Sequence, residues 1–175
     1  MNIMVGLGNP GTDFEHTYHN AGALALEAIM KAAEIDLTFK AYKKLYEYAQ
    51  SEHTAFIRPL TFMNESGKAV SVALKKYEAK SNDLVVFHDD SDITIGNYKI
   101  SIARNAGGHH GVESIIDAIG TNEFTRVRIG IRPARELKRK KAGEFALKPI
   151  TKQDMATLNK VFEEINEAIQ KTYSL

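Results

Sequence analysis

The sequence predicts an α/β fold, a single-domain three-layer sandwich with a twisted, mixed and mostly parallel sheet carrying helices on both faces. Three observations predict it. Short apolar runs alternate along the chain with segments of helical periodicity, the pattern of strands and helices packed in layers. Three polar, chemically rich segments, 8–20, 59–64 and 88–92, fall where apolar runs stop, as expected where the strand ends of an open sheet gather in one crevice. The 175 residues suit one domain with a real core and contain no internal repeat or low-complexity stretch.

In chain order, Asn2 to Leu7 is an apolar run stopped by Gly8 and Pro10, a buried strand reaching a turn. Residues 8–19 are polar and irregular. Asn20 then precedes Ala21, Leu24, Ala25 and Ala28 at helical spacing, which predicts a helix capped by Asn20. Leu45 to Glu52 and Thr54 to Arg58 read as paired strands about Ser51–His53. Asn64 opens a second helix with Val70, Ala73, Leu74 and Tyr77 on one face. Leu84 to Phe87 is an apolar strand that ends in His88, Asp89, Asp90, Ser91 and Asp92. Asn97 to Arg104 is a further strand, and Gly107 to Gly111 is a turn into a helix over Val112 to Ile119. Arg126 to Ile131 alternates as a strand does. From Thr151 onward Met155, Leu158, Val161, Phe162, Ile165 and Ile169 mark a long amphipathic helix.

Composition narrows the chemistry. The hydrophobic fraction is 43% and the charged fraction 26%, as in ordinary soluble proteins. With no cysteine there is no disulfide, thiolate metal site or thiol nucleophile, which suits a reducing cytosol. No apolar run is long enough to span a bilayer, and no signal peptide is expected. Net charge is only +1, so nucleic-acid binding requires local clustering. One cluster is the run Arg132, Arg135, Lys138, Arg139, Lys140 and Lys141, opposed by Glu136.

Several motifs admit two readings. Gly6, Gly8 and Gly11 fit G-x-G-x-x-G, but Pro10 removes a backbone donor, the helix starts only near residue 20, and Asp13 and Glu15 repel phosphate. A turn that presents Asn9 to a crevice is preferred over a dinucleotide site. His19, beside a helix entrance near strand ends, is either an ordinary histidine or a general base. Asp89, Asp90 and Asp92 form a solvated acidic turn, a divalent-cation site without calcium-loop spacing, or the source of one carboxylate that orients an imidazole. Asn64 is a helix cap or a substrate ligand. His109 and His110 invite zinc, yet adjacent histidines in a turn are poorly placed to chelate together and no third ligand is obvious. No serine lies in a G-x-S-x-G elbow.

Taken together, VGLGNPG at 5–11, HNAG at 19–22, RPLTFMNESGKAV at 58–70, HDDSDI at 88–93, AGGHHGVESI at 106–115 and RVRIGI at 126–131 resemble the bacterial peptidyl-tRNA hydrolase family in order and spacing. The resemblance implies a cytoplasmic, monomeric enzyme of translation. It implies hydrolysis of the ester between a peptide and the 3′-terminal ribose of tRNA, with no cofactor, metal, membrane or obligate protein partner. It implies His19 as the base that activates water, Asp89 as the group that holds it, and Asn9 as the residue that distinguishes peptidyl from aminoacyl ends. Asn64, His109 and His110 are implied to contact substrate, Phe14 and Phe62 to line the path of the tRNA end, and Arg128 to contact tRNA phosphate. The chain departs from the family at His110, where Asn is usual, at Arg104 and Asn105, where small residues are usual, and at Phe14, where Tyr is frequent. Two rival functions are an RNA-binding homologue without activity, to be separated by a turnover assay, and a dinucleotide-dependent oxidoreductase, to be separated by cofactor titration.

Overall fold

The computed structural model describes residues 1–36, 38–133, 143 and 145–175. Strand β1 (Asn2–Gly6) leads through a polar turn to α1 (Ala21–Ala32). A hairpin of β2 (Lys40–Tyr42) and β3 (Tyr46–Gln50) precedes β4 (Thr54–Pro59) and α2 (Ser66–Lys76). Then follow β5 (Leu84–Thr94), β6 (Tyr98–Ile102), α3 (His110–Ile119), β7 (Thr125–Arg132) and α4 (Lys152–Thr172). The seven strands form one sheet in the order β2-β3-β4-β1-β5-β7-β6. β4, β1, β5 and β7 are parallel, while β2, β3 and β6 run against their neighbours. The predicted mixed, mostly parallel sheet is therefore the observed one.

The central strands are apolar on both faces, as parallel strands covered on both sides must be. Met4, Val85 and Phe87 meet Leu26 and Ile29 of α1 and Leu158, Phe162 and Ile165 of α4 in one core. Ile3, Val5 and Val86 meet Val70 and Ala73 of α2 and Val112 and Ile115 of α3 in the other. Each of these side chains other than Ala73 contributes about 1.5–3 kcal/mol when fully buried. Close approach of α1 to the sheet needs a glycine. A Cβ on Gly22 would stand 2.2 Å from the Phe87 carbonyl oxygen, a separation no real contact reaches.

Three sequence expectations change. β5 runs on to Thr94, so the acidic segment is strand and not turn. β2 was not foreseen, because its three residues carry too little pattern to distinguish them from a loop. Asn20 does not cap α1 with its side chain. Its Oδ1 accepts the Asn9 backbone N–H at 2.8 Å and its Nδ2 donates to the Asn9 carbonyl at 3.0 Å.

Candidate active site

From β1 the chain goes on to β4 on one side and from β5 to β7 on the other, so the switch point where a crevice opens lies between the carboxyl ends of β1 and β5. A cleft of about 610 Å³ lies there, with Asn9, His19, Asn64, Asp89, His109 and His110 among its walls and Met63, Ala146 and Leu147 as its apolar part. Residues far apart in sequence close it. The His19 N–H donates to the Ala146 carbonyl at 2.8 Å, and Tyr18 N–H to Lys148. The Tyr18 hydroxyl donates to Asp154 in the first turn of α4 at 2.5 Å.

Asp89 is the centre of the arrangement. Its side chain is 4% exposed and its Oδ1 faces two rings, His19 Nδ1 at 2.8 Å and His109 Nε2 at 2.9 Å. Burial pushes its pKa upward, but the neighbouring His109 and His19 outweigh burial and hold it well below the usual carboxylate range, so it is ionised. Burial lowers the basicity of His19, and the hydrogen bond and charge of Asp89 more than restore it, so its pKa lies above the ordinary 6.5. With Nδ1–H given to Asp89, the His19 lone pair sits on Nε2.

His109 is locked by the helix it opens. Its Nδ1 accepts the N–H groups of Gly111 and Val112 at 3.2 and 3.3 Å, which caps α3. Nδ1 therefore carries no proton, and Nε2–H donates to Asp89. Behind it His88, fully buried, donates Nδ1–H to the Asp89 carbonyl at 2.7 Å and packs against the His109 ring at 4.7 Å between centroids. Burial, then the His109 beside it, hold the His88 pKa well below that of a free imidazole. The sequence reading missed His88, since an inward residue in an apolar strand carries no signal of what it touches.

His19, Asp89 and His109 also place one potential ligand atom each within 4.8 Å of one another, a set that leaves out His110 and so differs from the adjacent-histidine pair of the sequence. The donor set does not suit a metal. Nε2 of His109 would have to shed its proton to ligate, and a proton on Nδ1 would then face the two N–H groups of the α3 cap. EDTA should accordingly leave turnover unchanged. Loss of activity on chelation, restored by zinc, would show that the cap gives way and the three residues ligate.

The other expected residues are dispersed. Asn9 Oδ1 accepts the Met63 N–H at 2.9 Å, which leaves its Nδ2 donors at the cleft wall. A Cβ on Gly8 would meet the Asn20 carboxamide at 2.9 Å, so that amide occupies the glycine turn where a pyrophosphate would have to sit. Asn64 lies in a short 3₁₀ turn, exposed at the cleft, and α2 starts only at Ser66, so it is not that helix's cap. His110, the first residue of α3, has a 75% exposed side chain 3.6 Å from Glu113. Phe62 is 56% exposed and Phe14 half-buried, and neither lines the cleft itself. Arg128 is engaged, its Nε donating to Asp90 at 2.8 Å. Of the basic run 132–141, Arg132 and Pro133 are described, with Arg132 bonded to Asp92; Arg135, Lys138, Arg139, Lys140 and Lys141 lie outside the described residues. A second cavity, about 420 Å³, lies on the far side of Asn9, where Arg58 is held between Glu47 and Glu27.

The family model for peptidyl-tRNA hydrolase matches residues 3–174. The chain belongs to the peptidyl-tRNA hydrolase family. A peptidyl-tRNA hydrolase of Staphylococcus saprophyticus is 37% identical over 173 residues, covering 97% of this chain and 90% of the relative. One from a Sulfurihydrogenibium species is 35% identical over 168 residues, covering 95% and 87%. The crystal structure of the peptidyl-tRNA hydrolase from Acinetobacter baumannii superposes with a TM-score of 0.83 at 27% identity, covering 97% of this chain and 87% of that one. Sequence and fold thus assign this α/β protein to the same hydrolase family, and no helix of the described residues is long and apolar enough to cross a membrane.

Proposed function

We propose that the protein hydrolyses the ester bond between a peptide and the 3′-terminal ribose of peptidyl-tRNA, with His19 as general base. The observation that carries this reading is the ionised, buried Asp89 bonded to His19 Nδ1, which leaves the Nε2 lone pair at the cleft wall. A water taken up there loses its proton to Nε2 as it attacks the ester carbonyl. The imidazolium that forms is stabilised by Asp89, which stays ionised, and it gives the proton to the 3′-oxygen of the ribose as the oxyanion collapses and the ester C–O bond breaks. The Asn9 Nδ2 donors are free to hydrogen-bond the developing oxyanion, because Oδ1 is occupied by Met63. Asn64 and His110 are the exposed polar walls that contact substrate, Phe14 and Phe62 flank the path of the tRNA end, and Arg128 contacts phosphate by exchanging Asp90 for it. The protein acts as a monomeric single domain of residues 1–175 in the cytoplasm. Release of peptide from purified peptidyl-tRNA tests the activity. Tight tRNA binding without release would leave an RNA-binding homologue as the better reading.

His110 gives a separate expectation. A neutral imidazole both donates and accepts, as the Asn usual in the family does, whereas an imidazolium only donates. The acid limb of log(kcat/KM) against pH should be steeper in the parent protein than in His110→Asn, which should retain activity. Superimposable limbs would mean that His110, with its exposed ring beside Glu113, makes no substrate contact that depends on its lone pair.

A further inference from the structure

The β2–β3 hairpin closes on a turn that its own residues disfavour. Leu45 N–H bonds the Tyr42 carbonyl at 2.9 Å, and the two residues between, Lys43 and Lys44, have φ of 51° and 56°. Two consecutive left-handed residues make a type I′ turn, for which Asn-Gly is the favoured pair. Two lysines are held there against their conformational preference, and such strain is a pointer to function. Both are exposed, and Lys43 Nζ lies 5.4 Å from the Tyr42 ring centroid. Beside the turn three half-buried tyrosines surround another ammonium. Lys76 Nζ is 3.5 Å from the Tyr48 centroid, 4.6 Å from Tyr42 and 4.7 Å from Tyr77. Among the described residues none of Lys43, Lys44 and Lys76 is ion-paired with a carboxylate.

The place of this strip matters. Tyr42 pairs with Tyr46, which pairs with Pro59 at the carboxyl end of β4, so the lysine turn stands at the same end of the sheet as the cleft. Four strand spacings separate β2 from β5, the strand of Asp89, or roughly 19 Å. Arg128 lies beyond β5 on β7, on the opposite flank. The exposed ammonium groups of Lys43 and Lys44 fit the anionic oxygens of a sugar–phosphate backbone, and Lys76, held by the three rings and the Tyr77 hydroxyl at 3.2 Å, adds a third fixed positive charge beside them.

We propose that the β2–β3 edge, from the Lys43–Lys44 turn to Tyr77, is a second RNA-contacting surface that takes the phosphate backbone of the tRNA on the flank of the cleft opposite Arg128. The proposal rests on peptidyl-tRNA being the substrate. Its test is the double variant Lys43→Asn, Lys44→Gly, which removes both charges while supplying the residues that a type I′ turn favours. The variant should melt at a higher temperature than the parent, so a loss of RNA contact is not a loss of fold. KM for full-length peptidyl-tRNA should rise about tenfold with kcat unchanged, and the slope of log(kcat/KM) against log[salt] should flatten by about 1.4–1.8, two contacts at about 0.7–0.9 each. Hydrolysis of a peptidyl ester of the terminal CCA trinucleotide should not change. Lys76→Met should show the same split between the two substrates. Equal losses on the trinucleotide ester, or an unchanged KM and salt slope on full-length substrate, would overturn the proposal. So would a double variant that loses binding to anionic vesicles or an acidic protein but not to tRNA. If the parent protein hydrolyses neither ester, the substrate reading fails and the surface fails with it.

Discussion

His19→Ala should lose kcat by about 10²–10⁴ while tRNA affinity stays near that of the parent, the range expected for removal of a positioned general base. The direction follows from the hydrogen bonds. Asp89 takes the Nδ1 proton of His19, and His109 is barred from acting in its place because its Nε2 proton is given to the same oxygen. His88 is buried behind His109 and does not line the cleft. Of the three histidines grouped around Asp89, only His19 therefore has a lone pair where a water can sit. Single-turnover peptide release and a tRNA-binding titration measure the two quantities separately. Near-normal kcat in the variant would remove His19 from the mechanism, and a parallel loss of affinity would make it a binding residue.

Asp89→Asn should be slow by a comparable factor, about 10²–10⁴, and should shift the pH profile in a defined direction. The amide can keep an oxygen toward both rings but has no charge to stabilise the imidazolium. In the parent, the acid limb of kcat/KM reports loss of the neutral His19 base as pH falls, with its midpoint above 6.5, because the Asp89 hydrogen bond and charge outweigh the lowering by burial. Removing the charge leaves burial as the dominant cause, so the midpoint should drop below 6.5. Asp92→Asn, at an exposed carboxylate bonded to Arg132, should leave both rate and midpoint in place. A normal limb in Asp89→Asn together with a displaced one in Asp92→Asn would mean that the wrong carboxylate has been assigned.

Much of the fold was legible because burial imposes periodicity. The apolar runs of β1 and β5 and the helical spacing of α4 are consequences of which faces must leave water, so they stand in the sequence. Boundaries were less legible. The strand reading of Leu84 to Phe87 stopped where the residues become polar, but the backbone pairing with β7 continues through Asp90. That extension separates the acidic residues. Successive side chains of a strand point to opposite faces, so Asp89 meets His19 and His109 while Asp90 meets Arg128.

The sequence by itself determined the fold class, the cast of polar residues at strand ends, and the absence of thiol chemistry, all of which depend on residue type and local order. Tertiary structure alone decided the partners. Asn9 and Asn20 are eleven positions apart and His19 and Asp89 seventy, and whether they bond depends on how the turn after β1 packs on β5. It also decided that His109, and not His110, reaches Asp89, since one ring caps α3 and the next turns to solvent beside Glu113. The physical reason is one of range. Burial is a property each residue brings to any fold, whereas a hydrogen bond of 2.8 Å and the proton position that it dictates exist only once two distant backbones are held in place.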